Sequence, residues 1–531
     1  VAAWMPNTAE AYLLMFGAAA IGAVFSSTSP DFGPDGVLDR FAQIDPTVLV
    51  AADGYTYGGK SFDRRTELAA VIEGLGTVRQ VVVVPFLADD PDLSALPSGA
   101  GRRPVLWADW LAPHDGEVAD FVPLPFDHPW YVLYSSGTTG VPKCIVHRCG
   151  GVLLNHIKEQ QLHLDVRHGD RVCWFTTTGW MMWNWLASVP ASGASIVLYD
   201  GNPAFPGPER LWDLVESERL DLLGVSAKYL DAVRASGYRP AESADLSSLR
   251  TLASTGSPLS PEGFDWVMDA VGSGASPDGL HLASISGGTD LCGCFVGGDP
   301  TLPVWSGEIQ GPGLGMAVDV WTDAGAPAAI GERGELVCTE PFPSMPLRFW
   351  GDDPDGSPDG LGPRYRAAYF DRFVGDDTGD DIGDVVGHAV WAHGDFASWT
   401  ERGGMIIHGR SDATLNAGGV RIGTAEIYAQ VEHIAGVVEA VAVGQEWDDD
   451  TRIVLFVKLA DGLVLTAAME AEIRSKLRAN ASPRHVPARI AQVTDVPRTR
   501  SNKISELAVA DVVNGRPVRN TEALANPESL A

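Results

Sequence analysis

The sequence predicts an α/β fold: a large N-terminal domain of parallel sheets covered by helices, with a small β-rich subdomain, then a small α+β C-terminal domain. Three observations carry this. After the 131–143 stretch, apolar strand-like runs alternate with helical stretches to about residue 286, the pattern of parallel strands joined by crossover helices. From about residue 307 short strands sit among Gly and Pro turns. After residue 412 the texture becomes that of a compact α+β unit. A chain of 531 residues is too long for one hydrophobic core, and we divide it at 1–411 and 412–531.

Taken in order, 1–7 (VAAWMPN) predicts a strand and turn, and 9–23 a helix. The apolar run 12–25 is shorter than the ~18 residues a bilayer span needs, so it reads as a buried helix. Val1 opens inside a strand-like run without an initiator Met, which predicts a further segment upstream. Runs 48–52 and 81–85 are buried strands, and 87–97 is an Asp/Pro-rich connector. Residues 131–134 form a short buried strand. Beyond it, strands at 195–199, 222–226, 249–254 and 281–286 alternate with helices at 211–219, 228–236 and 261–271. A strand is expected at 334–339, with Asp/Gly-rich exposed loops at 351–363 and 375–388. The C-terminal unit should hold helices at 426–433 and 467–479 and strands at 438–443 and 452–458.

Composition excludes some classes. Hydrophobic residues make up 45% and charged residues 20%, ordinary for a globular protein. The net charge of −31 argues against non-specific binding to nucleic acid or anionic membranes. Six cysteines without zinc spacing are no disulfide framework, so they read as buried reduced thiols in a cytoplasmic protein. Histidines 147, 156, 163 and 393 form no metal-ligand pattern and receive no chemistry.

The stretch 131–143 (YVLYSSGTTGVPK) is the centre of the reading. After the strand come Ser135, Ser136, Gly137, Thr138, Thr139 and Gly140, then Pro142 and Lys143. Glycines let backbone N–H groups approach an anion, hydroxyls add donors and Lys143 adds charge, which together make a phosphate cradle. It is not a Walker A loop: Gly140 and Lys143 are separated, and Pro142 disfavours a helix starting at Val141.

Four other stretches carry chemistry. LASTGSP at 252–258 ends a strand in a turn at Gly256, Ser257 and Pro258, at the sheet edge where α/β proteins bind ligands, although a plain tight turn explains it equally well. SISGGTDLCG at 284–293 offers Thr289 as a phosphate donor and Asp290 as an oxygen ligand for Mg²⁺, against an Asx-type turn. VWAHGDF at 390–396 places Asp395 at an expected strand end, where a carboxylate can accept from a ribose diol or simply cap a turn. HGRSDATLNAGGVR at 408–421 offers Arg410 and Arg421 to ribose or phosphate, with Gly418 and Gly419 allowing close backbone approach. Lys503, in PRTRSNKISEL at 497–507, gains meaning only within the ensemble, since a lone lysine in a polar turn is ordinarily solvent-exposed.

Together these motifs, in this order, resemble the adenylate-forming superfamily of acyl-CoA synthetases, luciferases and nonribosomal-peptide adenylation domains. The resemblance runs over essentially the whole chain. Within it, TTTGWMMWNW at 176–185, the 287–318 stretch, ELVCTEPFPSMP at 335–346 and the C-terminal NPESL resemble ligases that act on acetoacetate. The resemblance implies an ATP-dependent, AMP-forming acid–thiol ligase that makes acetoacetyl-CoA through an acyl-AMP. The alternatives are a CoA ligase for butyrate or propionate, or an adenylation module loading a carrier protein. The implied cofactors are ATP, Mg²⁺ and coenzyme A, and neither nucleic acid nor membrane is expected as a partner.

Carried over by motif, Ser135 to Gly140 and Lys143 cradle pyrophosphate, and Gly256, Ser257 and Pro258 line the adenine. Thr289 meets the α-phosphate, Asp290 the metal, and Asp395 and Arg410 the ribose. Asp412 is the hinge of a mobile small domain, Gly418 and Gly419 flank the CoA channel, and Arg421 approaches phosphate. Lys503 bridges the carboxylate and the α-phosphate, and is a target for a lysine acetyltransferase and deacetylase. Trp180, Met181, Gly287 and Gly288 line the acyl pocket. Gly287 stands where acetyl-CoA synthetases place a Trp, which implies a longer pocket. Asn502 and Asp290 depart from the usual Gly and Glu; Asn tolerates a left-handed turn, and Asp290 can reach the metal through water.

Overall fold

The computed structural model describes residues 1–99, 102–135, 142–354, 360–373, 390–411, 414–417, 420–447, 450–480, 485–499, 504–518, 521 and 524–530. Two five-stranded parallel sheets form its larger part. In the first the order is Ser26–Thr28, Ala2–Trp4, Val48–Ala52, Gln80–Val84, Pro104–Leu106. In the second it is Ser195–Ile196, Arg171–Trp174, Leu222–Ser226, Thr251–Thr255, His281–Ser284.

Period-two alternation assigns each strand's two faces to different cores. Leu49 and Ala51 face one apolar cluster, Val50 and Ala52 another; Leu223 and Leu252 are divided in the same way from Leu222 and Ala253. The cluster containing Val50 and Ala253 joins the inner faces of both sheets. Helices Ala9–Ala20 and Met181–Ala187 lie in it, with the Tyr12 and Trp183 rings 4.5 Å apart. The first helix stops short of residue 23 because Gly22 turns out of it at φ +72°.

The strand expected at 131–134 extends over Pro129–Ser135 and returns as Lys143–Arg148, an antiparallel pair with Ser135 opposite Lys143. The motif loop therefore spans a β-hairpin; residues 136–141 lie outside the described part. A helix at Cys149–Lys158 comes next, which the sequence reading did not assign. The expected strand 195–199 shrinks to Ser195–Ile196.

The β-rich subdomain is a four-stranded antiparallel sheet: Val318–Trp321, Gly334–Cys338, Trp391–Trp399, Met405–Arg410. Two expectations are corrected here. Asp395 does not end a strand but sits in the middle of Trp391–Trp399, paired with Arg410. The stretch 351–363 is not simply an exposed loop: Asp352 is 4% exposed and accepts from the backbone N–H groups of Arg364 (3.1 Å) and Tyr365 (2.8 Å), capping helix Pro363–Tyr369. The expected loop at 375–388 lies outside the described residues.

Beyond residue 414, strands Val437–Trp447, Asp450–Leu459 and Arg489–Val493 form a separate sheet under helices Thr424–Val431 and Ala467–Asn480, with its own core around Ile427, Leu455 and Ile473. All six cysteines are unpaired; Cys149 is half-buried and the other five are buried. Among the described residues no helix is long and apolar enough to cross a membrane.

Candidate active site

Parallel strands expose their C-terminal backbone ends along one sheet edge, and ligands of α/β folds gather there. Strands Thr251–Thr255 and His281–Ser284 are adjacent, and both end on one large cavity. After the first come Gly256, Ser257 and Pro258, and after the second Ser286–Gly288, Thr289 and Asp290, all lining that cavity. The Thr255 hydroxyl donates to the Ile285 carbonyl at 3.1 Å and ties the two ends together. Gly256 has φ +88°, a left-handed conformation that L side chains rarely adopt.

The turn at Thr289–Asp290 is closed by backbone: the Cys292 N–H donates to the Thr289 carbonyl at 3.2 Å and Leu291 N–H to Gly288 at 3.3 Å. The Asp290 side chain lines the cavity beside this turn. Its Oδ1 accepts from the Tyr369 hydroxyl. Lys143 lies across the aromatic ring of the same tyrosine, with Nζ 5.4 Å from the ring centroid and 5.7 Å from that of Phe349.

Ser135, Lys143, Trp180, Met181, Gly288 and Asp395 also line the cavity. Trp180 precedes the fully buried helix Met181–Ala187, which holds the apolar wall in place from the shared core. Gly287 lines the cavity too, with backbone packed close against it. An ideal Cβ built there would stand 2.0 Å from the Gly293 carbonyl oxygen and 2.4 Å from the Cys294 Cα. These atoms belong to the neighbouring strand Gly293–Gly297, against which a register shift at Ser286/Gly287 presses this glycine. On this backbone a side chain at 287 would strike the neighbouring strand. Close strand approach favours a glycine at this position.

The carboxylate of Asp395 lies 3.5 Å from Nε2 of His393, a buried residue given no chemistry from the sequence. The His393 ring meets Phe295 edge-on at 4.9 Å and borders Gly288. Below Asp395, buried Glu335 accepts from the Gly394 N–H and from Arg372, which also donates to the Ser411 hydroxyl at 3.2 Å. Burial pushes the Glu335 carboxyl up, against the opposing pull of the Ser411 and Arg372 contacts. Tyr369, His393, Glu335 and Arg372 are neighbours of the expected site residues that the sequence reading missed. The HGD tripeptide beside Asp395 could have marked His393; Tyr369 carries no local signal.

Other expected site residues are only partly described. Arg410 ends strand Met405–Arg410 and Arg421 lies in Val420–Gly423, and only their backbones are described. Ser136, Gly137, Thr138, Thr139, Gly140, Asp412, Gly418, Gly419 and Lys503 lie outside the described residues.

The donor set fits magnesium brought by a nucleotide. Asp290 offers hard carboxylate oxygen at the cavity, and among the described residues no group of three or more His, Cys, Asp or Glu forms a cage. Mg²⁺ characteristically binds through one or two carboxylates plus substrate phosphates and water.

The family model described as AMP-binding enzyme matches residues 1–345, and that of the AMP-binding enzyme C-terminal domain matches residues 427–503. The chain is 56% identical over 530 residues to acetoacetyl-coenzyme A synthetase of Rhizobium meliloti, covering 100% of this chain and 76% of that protein. It is 42% identical to the acetoacetyl-CoA synthetase of Gallus gallus, again with 100% and 76% coverage. Among solved structures, acetoacetyl-CoA synthetase from Streptomyces lividans superposes with a TM-score of 0.84 at 42% identity, over 100% of this chain and 76% of that one.

Proposed function

This chain belongs to the AMP-binding enzyme family, among the acetoacetyl-CoA synthetases, and from that premise we propose that it joins acetoacetate to coenzyme A at the expense of ATP. The observation that carries the reading is a shared cavity. Lys143, Asp290, Asp395 and the Gly256–Pro258 turn line it together with the apolar wall of Trp180 and Met181. A polyanion site and a small acyl site thus open into one space.

The reaction divides into two halves. A carboxylate oxygen of acetoacetate attacks the α-phosphorus of ATP, the bond to the bridging oxygen breaks, and pyrophosphate leaves. The CoA sulfur then attacks the acyl carbon, the bond to AMP breaks, and the thiol gives up its proton. Gly256, Ser257 and Pro258 hold the adenine, and Asp395 with Arg410 holds the ribose diol. Ser135 to Gly140 and Lys143 receive the pyrophosphate, and Thr289 donates to the α-phosphate. Lys503 offsets the repulsion between the two anions where charge accumulates in the transition state. Magnesium held through Asp290 would supply further neutralisation of the phosphates. The second step needs neither cation, so a small domain that turns about Asp412 withdraws Lys503 and presents Gly418 and Gly419 to the pantetheine arm. Arg421 approaches phosphate in one of the two arrangements. The boundary between 411 and 412, a cytoplasmic location and a place in lipid metabolism belong to the same proposal.

Acetylation of Lys503 by a lysine acetyltransferase removes its charge. It should stop adenylation while sparing thiolysis of added acyl-AMP; equal loss of both would overturn that role. The function itself is tested by AMP release with ATP, Mg²⁺ and CoA across acetate, propionate, butyrate and acetoacetate. Preference for acetoacetate supports the reading. Preference for a saturated acid keeps the mechanism and replaces the substrate, and acyl transfer only to a phosphopantetheine protein replaces the acceptor.

A further inference from the structure

We propose that Tyr369 is a positioning residue that sets the spacing of the two charged groups on either side of the triphosphate: its hydroxyl holds the Asp290 carboxylate and its ring face holds the Lys143 ammonium. This deepens the nucleotide-dependent reading of the site and rests on it.

The geometry is specific to one side chain. Tyr369 is the last residue of helix Pro363–Tyr369 and is 3% exposed. Its ring stacks on Trp391 with centroids 3.7 Å apart and planes 11° from parallel. Phe349 at 5.7 Å and Tyr365 at 5.2 Å meet it edge-on. Packed on these sides, the ring cannot swing, so its contacts with Asp290 and Lys143 have fixed origins. The hydroxyl donates to Asp290 Oδ1, and the Lys143 Nζ stands 5.4 Å from the ring centroid. A lysine ammonium on a flexible stem gains a preferred place over such a ring. A carboxylate with one oxygen held keeps a fixed orientation for whatever its other oxygen meets.

A simpler role is that Asp290 merely satisfies a buried tyrosine hydroxyl, as buried tyrosines require. The two roles predict different effects of removing the hydroxyl. If Asp290 only serves the tyrosine, Tyr369→Phe changes stability alone. If Tyr369 serves Asp290, the same variant changes how magnesium supports nucleotide binding.

The test measures binding, not turnover. Mant-ATP fluorescence is titrated with Mg²⁺ in wild type, Tyr369→Phe, Asp290→Asn and the double variant, with AMP affinity as the reference for an intact site. Hydrogen bonds to charged groups predict about a tenfold rise in the Mg²⁺ needed for half-maximal binding in Tyr369→Phe, with AMP affinity unchanged. In the Asp290→Asn background the same substitution should have no further effect, because it acts through that carboxylate. Tyr369→Leu, which also removes the ring under Lys143, should weaken ATP about threefold more at saturating Mg²⁺. Unchanged Mg²⁺ dependence in Tyr369→Phe, additive effects in the double variant, or parallel loss of AMP and ATP binding would each overturn the proposal. Wild-type protein that binds ATP without regard to Mg²⁺, or not at all, would instead remove the functional reading beneath it.

Discussion

Gly287 separates what a motif suggests from what a backbone permits. Its missing side chain is explained by the strand carbonyl 2.0 Å from an ideal Cβ, a distance that real Cβ atoms essentially never reach. We expect Gly287→Ala to lose at least about 1–3 kcal/mol, the usual cost of forced overpacking, because the opposing atoms are backbone and cannot rotate away. Thermal denaturation checks this; a wild-type melting temperature would show that the strands can part. Asp395 makes a second prediction at this scale. Removing its charge in Asp395→Asn should weaken AMP binding about tenfold or more by equilibrium titration, since hydrogen bonds to ionised groups contribute roughly 1.5–3 kcal/mol.

At the scale of elements, the short helix Pro363–Tyr369 carries the tyrosine that joins Asp290 to Lys143, and its start depends on one buried carboxylate. Asp352 caps the Arg364 and Tyr365 N–H groups and accepts from the Arg364 guanidinium at 3.3 Å. Loss of an N-terminal cap ordinarily costs about 0.5–2 kcal/mol. Asp352→Ala should therefore lower stability by that order and, by loosening the helix, raise the Mg²⁺ requirement for ATP binding; unchanged Mg²⁺ dependence would uncouple cap from site. The Asp/Gly-rich composition of 351–363 suggested only an exposed loop, because composition does not reveal which aspartate folds back onto a helix end.

At the scale of the molecule, three buried histidines and the half-buried His281 tie stability to pH. Burial lowers the pKa of His147 to about 3 and moves those of His156, His163 and His281 down as well. Each is depressed in the fold relative to its unfolded value near 6.5. Their contribution is therefore present above that pH and is lost as pH falls from about 6.5 towards the folded values, because the unfolded chain takes up protons that the fold refuses. Urea midpoints should fall between pH 7 and 5, and His147→Gln should flatten that slope; an unchanged slope would remove His147 from the account.

The sequence by itself determined the elements whose cause is local. Runs of β-branched and apolar residues at 48–52 and 222–226 gave strands with those bounds, and the alternation of strand and helix gave parallel sheets. The motif at 131–143 suggested a phosphate cradle because glycines, hydroxyls and a lysine in that order suit few other tasks. Tertiary structure alone decided matters that depend on residues far apart in the chain. The Tyr369 hydroxyl reaches Asp290 across 79 positions, and Glu335 reaches the Gly394 N–H across 59. Asp395 proved to be mid-strand because the strand is carried past it on its other edge, where Ala392 and Trp391 pair with Val337 and Cys338. The backbone packed beside Gly287 comes from strand Gly293–Gly297, which the local motif does not specify. Periodicity records which way a side chain faces along its own element; it carries no record of what the fold brings against it.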